Sequence, residues 1–225
     1  MALIAAAVFG SYLSTTDVQK PLPSNDKKVI LSFAMVSDSH NKNDLLAKAL
    51  EQAKGMGINF VVGMGDWTEI GTEKELTDAK AVFDTAKIPY FLTAGDHDLW
   101  DSRNKGDDAL TNFEKYFGKP NSVIEREGVK IILVDNSDIY KGISTETWQF
   151  LNSKLQVPSS KLTFVMAHKA PFHPDSRHIM GEDSGEVAKQ AKEFLKALEG
   201  AQIDGFFNGD LHFFAQYNTT DNLLK

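Results

Sequence analysis

Aspartate and histidine recur in this chain at spacings suited to cation chemistry. Asp38-Ser39-His40, Gly65-Asp66, Gly95-Asp96-His97-Asp98, His168 and Gly209-Asp210-Leu211-His212 follow in that order, and four of the 6 histidines lie inside them. Carboxylate oxygens and neutral imidazole nitrogens ligate divalent metals, and an Asp-x-His step at a strand end aims neighbouring donors around one or two ions. A glycine beside the aspartate lets two backbones approach without a Cβ between them. Any one fragment alone reads as a turn or as a hydrogen-bonded strand end. The ordered set of five reads as one site. The chain has 0 cysteines, which removes thiolate zinc sites, Fe–S clusters, disulfides and cysteine nucleophiles together. It also lacks the Gly-x-Ser-x-Gly turn of serine hydrolases.

These residues need elements to bring them together, and the apolar pattern supplies them. Short apolar runs at 29–36, 60–64, 90–93, 129–134, 162–167 and 203–207 read as buried strands, and all but 129–134 run directly into one of the motifs. In open α/β sheets the carboxyl ends of strands line the ligand crevice, so the motifs are expected to converge there. Between the strands lie helical faces: Leu45, Leu46, Ala49, Leu50 and Ala53; Leu76, Ala79, Phe83 and Ala86; Trp148, Leu151 and Leu155; and Val187, Ala191, Phe194, Leu195 and Leu198. Thr72-x-x-Glu75 is a capping-box signature opening the second face. Residues 122–134 read as a hairpin turning at Glu127-Gly128, so the sheet is expected to be mixed. The class is α/β or α+β, with a central sheet covered by helices.

Composition agrees with one folded domain. The 225 residues are 42% hydrophobic and 24% charged, ordinary globular usage, with a net charge of −7. That sign argues against holding bare nucleic acid by phosphate neutralisation. Residues 1–13 are apolar and no charge precedes Asp17, a length that suits a signal-peptide core but falls short of the ~20 residues of a membrane span. Residues 14–28, with Pro21 and Pro23, read as a linker. The division is therefore 1–28, a signal- or anchor-like segment with its linker, and 29–225, the domain that carries all five motifs. Export or membrane anchoring is the expectation, with a cytoplasmic protein as the alternative.

From Val29 to His212 the chain resembles the calcineurin-like metallophosphoesterases, whose pattern is Asp-x-His, Gly-Asp, Gly-Asn-His-Asp/Glu, a strand-end His and Gly-His-x-His. Two positions depart from it: Asp96 stands for Asn, and Asp210 for the first His of the last element. The resemblance implies a β-sandwich flanked by helices, here ending before the last strands usual in the family. It implies two divalent metals, with Asp38, His40 and His212 on the first, Asp66 bridging, and Asp96, His168 and Asp210 on the second. A hydroxide between the metals would attack phosphorus, His97 would protonate the leaving alkoxide, and Asp98 would hold the His97 ring, with a helix or turn cap after the loop as the alternative for Asp98.

Both departures fall on the second metal and make it oxygen-rich, which favours Mn²⁺, with iron, Zn²⁺ or Mg²⁺ as alternatives. The four carboxylates of Asp38, Asp66, Asp96 and Asp210 would cancel two divalent ions, which suggests a preference for diesters or a higher working pH. Arg177 and His178 are candidate substrate contacts, as is Arg103, while Trp67 and Trp100 read as core or stacking residues. No arginine follows Gly65-Asp66, unlike in the family's Ser/Thr protein phosphatases. The expected function is hydrolysis of small phosphate mono- or diesters, with no nucleic-acid or protein partner implied and the oligomeric state open. The alternative is a catalytically weakened, metal-binding or structural descendant of the same fold.

Overall fold

The computed structural model describes residues 4–7, 29–156, 161–213 and 215–216. Of the signal- or anchor-like segment and linker, only Ile4–Ala7 falls among them, as a strand; the rest of residues 1–28 lies outside the described residues. Any further C-terminal strands would follow residue 216, also outside them. Among the described residues no helix is long and apolar enough to cross a membrane.

Among the described residues, two four-stranded sheets form the centre of the domain. The first is parallel, in the order β1 (Ile4–Ala7), β2 (Ser32–Val36), β3 (Phe60–Met64), β4 (Tyr90–Thr93). The second is mixed, in the order β5 (Ser122–Arg126), β6 (Val129–Val134), β7 (Leu162–Ala167), β8 (Gly205–Asn208). In it β5 and β6 pair antiparallel while β6, β7 and β8 run parallel. The hairpin turns at Glu127 (φ 52°) and Gly128 (φ 81°), two left-handed residues as a tight turn matched to the strand twist requires.

Period-two alternation in these strands serves two different cores. Phe33, Met35, Phe60, Val62 and Met64 face Ile131, Leu133, Phe164 and Met166 between the sheets. The intervening Ala34, Val36 and Val61 turn outward onto α1 (Asn43–Gly55) and α2 (Glu73–Ala86). On the other side Ile132, Val134, Val165 and Ala167 meet α5 (Thr145–Leu155) and α6 (Gly185–Gly200). Strands buried on both faces read as unbroken apolar runs, which is why they stand out in the sequence. The result is the expected sandwich with helices on both faces.

The capping box forms as expected. Thr72 Oγ1 accepts from the Glu75 backbone N–H (3.3 Å), and Glu75 Oε2 accepts from the Thr72 N–H (3.0 Å). Glu75 also accepts from the Asn41 side-chain amide, which ties the start of α2 to the loop after β2. Two short helices, α3 (Trp100–Asn104) and α4 (Thr111–Phe117), have no counterpart in the sequence reading, because neither is long enough for a helical apolar period to repeat.

Phe60 is fully buried and stacks on Phe33 at 5.4 Å between ring centroids. Phe60→Ala is expected to cost about 3–5 kcal/mol of stability, read as a lower denaturant midpoint.

Candidate metal centre

Loops from the carboxyl ends of both sheets meet at one edge of the sandwich. Backbone bonds zip the loops after β2 and β3 together: Asp38 N–H to Gly65 O (3.0 Å), His40 N–H to Asp66 O (3.0 Å) and Asn41 N–H to Trp67 O (3.2 Å). From the second sheet, the Asp210 N–H donates to the Asp38 carboxylate at 3.1 Å. His168 Nδ1 lies 2.7 Å from the Met64 carbonyl, which can only accept, so Nδ1 carries the proton and Nε2 turns into the cluster.

The backbone is bent to aim these groups. Asp38 (φ 58°), His40 (φ 42°), Asp66 (φ 59°), Asp210 (φ 64°) and His212 (φ 57°) are all left-handed, although none is glycine. Aspartate and histidine tolerate that region better than most residues, yet each instance costs about 1 kcal/mol or more. Such strain concentrated in five candidate ligands is characteristic of a functional site. Gly95 is required for close approach, since a Cβ there would lie 2.0 Å from Asp66 Oδ1.

Donor atoms gather in three overlapping groups, in each of which they lie within 4.8 Å of one another: Asp38, His40 and His212; His40, Asp66 and His97; and Asp66, Asp96, His168 and Asp210. The seven expected ligands are thus brought together, with Asp66 between the two ends. Its carboxylate is 3.5 Å from His40 Nε2 on one side and 3.5 Å from His168 Nε2 on the other.

The donor chemistry fits divalent cations. His40 Nε2 is shielded from solvent and makes no hydrogen bond, and burial together with His97 holds the ring below its ordinary pKa, in the neutral form a metal needs. Burial pushes Asp66 well above the usual carboxylate range, and Asp96, Asp98 and Asp38 add to this against the pull of His168. Burial disfavours charge on His168 as well, but Asp66, Asp96 and Asp210 outweigh it and raise the imidazole well above its usual value. A buried excess of negative charge that holds protons is one that cations would relieve.

One residue of this cluster is absent from the expected set. The Lys169 ammonium donates to Asp96 Oδ1 (3.0 Å) and Asp210 Oδ2 (2.9 Å). Burial lowers its pKa, but the two carboxylates prevail and push it up to about 12. The charge count expected from sequence therefore omits one positive charge inside the cluster. The argument from a neutralised metal pair to a diester preference falls with it.

The role expected for Asp98 also needs correction. Its carboxylate does not touch the His97 ring. It accepts from the backbone N–H groups of Asp66 (3.1 Å), Trp67 (3.0 Å), Thr68 (3.1 Å) and Gly95 (2.9 Å), and from Thr68 Oγ1 (2.8 Å). Residues 97–99 form a short 3₁₀ turn, in which neighbouring side chains point in different directions: Asp98 inward, His97 toward the site. The His97 ring is held instead by the Glu69 carbonyl, 2.7 Å from Nδ1, and stacks on Trp100 at 4.2 Å.

Of the expected substrate contacts, Arg177 is exposed and pairs with Glu182 (3.4 Å), whereas His178 stacks near His212 at 6.3 Å. Arg103 faces Asp138 (3.6 Å) and the Tyr140 ring. Trp67 is core: fully buried, edge-on to Phe83, its indole N–H donating to Thr93 O.

Asp98→Ala is expected to strand several buried N–H groups at about 1–3 kcal/mol each. It should lower the thermal midpoint and abolish the metal-induced rise in that midpoint, whereas His97→Ala should keep both. Equal behaviour of the two variants in thermal shift with and without Mn²⁺ would remove the distinction drawn between them.

Residues 31–214 match the sequence profile of the calcineurin-like phosphoesterases. Among solved structures, a dimetal phosphatase from Danio rerio is similar at a TM-score of 0.60 and 15% identity, over 80% of this chain and 81% of that one. A purple acid phosphatase from yellow lupin (Lupinus luteus) seeds is similar at 0.55 and 13% identity, over 81% of this chain and 38% of that one. PhoD gives 0.55 and 12% identity, over 85% and 53%. At such identities the likeness is one of fold. No curated protein sequence matches the chain. The family implies a pair of divalent metals, and the buried Asp/His cluster fits them. With the profile covering β2 to β8 and all five motifs, the chain belongs to the calcineurin-like phosphoesterase family and is a metal-dependent hydrolase of phosphoric esters.

Proposed function

We propose that the protein hydrolyses a small phosphate mono- or diester, with Asp38, His40 and His212 holding one divalent ion, Asp96, His168 and Asp210 addressing a second, and Asp66 shared. The observation that supports this most directly is the convergence of these seven residues, from both sheets, with Asp66 within 3.5 Å of a histidine at either end. Bound metals would polarise the phosphoryl oxygens and acidify the attacking water.

His97 is the general acid in this reading. With Nδ1–H donating to the Glu69 carbonyl, Nε2 is the nitrogen left to exchange a proton with the leaving oxygen. The ring stands edge-on to His40 at 4.6 Å, beside the first metal position, and stacking on Trp100 fixes its plane. Asp98 serves as a positioning residue, holding the Gly65-Asp66 and Gly95-Asp96 loops in register through its five acceptor contacts. His178 is the retained candidate for a substrate contact through its place beside His212. The carboxylate-rich second position supports Mn²⁺ over Zn²⁺ as the working metal.

Metal-stripped protein reconstituted with Mn²⁺, Zn²⁺ or Mg²⁺ and assayed on paired mono- and diesters tests this reading. Hydrolysis should depend on added metal and be fastest with Mn²⁺; inactivity on both ester classes with every metal would overturn it. His97→Ala should retain its metal. It should lose about 10²–10⁴-fold in turnover on alkyl esters, and far less on nitrophenyl esters, whose leaving group needs little protonation. Equal losses on the two ester types would remove the general-acid role.

A further inference from the structure

The two residues that depart from the family pattern at the second metal position, Asp96 and Asp210, are the same two that hold the Lys169 ammonium. Each replaces a neutral ligand by a carboxylate, and a cation is supplied from within the chain to meet them. Lys169 is buried, with Nζ 3.0 Å from Asp96 and 2.9 Å from Asp210, and it leaves strand β7 directly after His168. Its backbone is fixed as well. The buried Asn136 accepts from the N–H of His168 (3.1 Å) and of Lys169 (2.9 Å) and donates to the Lys169 carbonyl (2.7 Å). The ammonium is therefore delivered from a rigid origin, unlike a surface lysine that happens to reach an acid.

We propose that Lys169 is a tethered monovalent cation standing in the second metal position, so that the first position fills alone and a second divalent ion binds only by displacing the ammonium. The inference rests on the metal-dependent reading above and concerns its second site alone. A metal and an ammonium both need the Asp96 and Asp210 oxygens, and each carboxylate engaged by Nζ offers less to a metal. Displacement would also leave a buried ammonium without its two partners, which adds to the cost of loading. The first position carries no such competitor. Asp38, His40 and His212 face it without a lysine within ion-pairing distance among the described residues.

Metal-stripped full-length protein titrated with Mn²⁺, followed by calorimetry and by electron paramagnetic resonance, tests the proposal without recourse to activity. The unmodified chain should bind one Mn²⁺ tightly and a second at least ~10-fold more weakly, the factor expected when a site is open only a tenth of the time. With one equivalent added it should show the hyperfine signal of an isolated ion. Lys169→Met should close the gap between the two affinities and give the exchange-coupled spectrum of a metal pair at two equivalents. Because Lys169→Met leaves Asp96 and Asp210 with only the His168 imidazole before metal is added, a second variant combines it with Asp96→Asn and Asp210→His. That variant restores the family's neutral ligands and should load two ions with similar affinity. Two equally tight Mn²⁺ ions in the unmodified chain, or an unchanged gap in both variants, would overturn the proposal and leave the metal-dependent reading standing. No Mn²⁺ bound by any form would overturn both.

Discussion

The constraint on which this structure turns is buried negative charge. Asp66, Asp96, Asp98 and Asp210 are all buried, at an edge where two sheets exclude water. An unpaired carboxylate in such a place costs several kcal/mol, so the fold must supply donors or cations to each. It answers in different ways. Asp98 is met by neutral backbone N–H groups, Asp96 and Asp210 by the Lys169 ammonium and the His168 imidazole, and Asp66 by two histidines and the His97 N–H. The difference marks the division of labour. The carboxylate saturated by fixed donors organises loops, while those met by imidazoles and an ammonium are the ones whose partners a metal would replace.

The hydrophobic layers serve this arrangement by holding the strand ends level. Phe60, Val62 and Met64 on one sheet interlock with Ile131, Leu133 and Met166 on the other, and the same strands end in the site loops. With the strand ends fixed, the left-handed residues that follow have few alternative conformations. Strain at Asp38, His40, Asp66, Asp210 and His212 persists because the sandwich over-determines where those loops begin.

Much of this was legible in the sequence, for identifiable reasons. β3, β4, β6 and β7 coincide with their apolar runs because strands buried on both faces carry little polar interruption, and the candidate ligands stood out as polar outliers after those runs. β2 begins later than its apolar run, and β8 is displaced toward Asn208, since pairing partners rather than apolarity decide where a strand ends. Lys169 was not legible as a site residue. Its partners lie 73 and 41 positions away, and a lone lysine after a strand carries no local mark of burial. The expected Asp98–His97 contact failed because adjacency in sequence says little about direction within a 3₁₀ turn. Nor did spacing reveal that Glu69, through its carbonyl, would hold the His97 ring.

The two sheets contribute different halves of the cluster. Asp38, His40, Asp66, Asp96 and His97 follow strands of the first, and His168, Lys169, Asp210 and His212 follow strands of the second. A chain in which only one sheet has formed owns no complete second position. Cations bound there would therefore also act as cross-links between the two layers, since each position draws its ligands from both sheets. A sandwich mispaired at this edge would deprive each position of the donors that the opposite sheet supplies, and a bound ion would then have too few ligands.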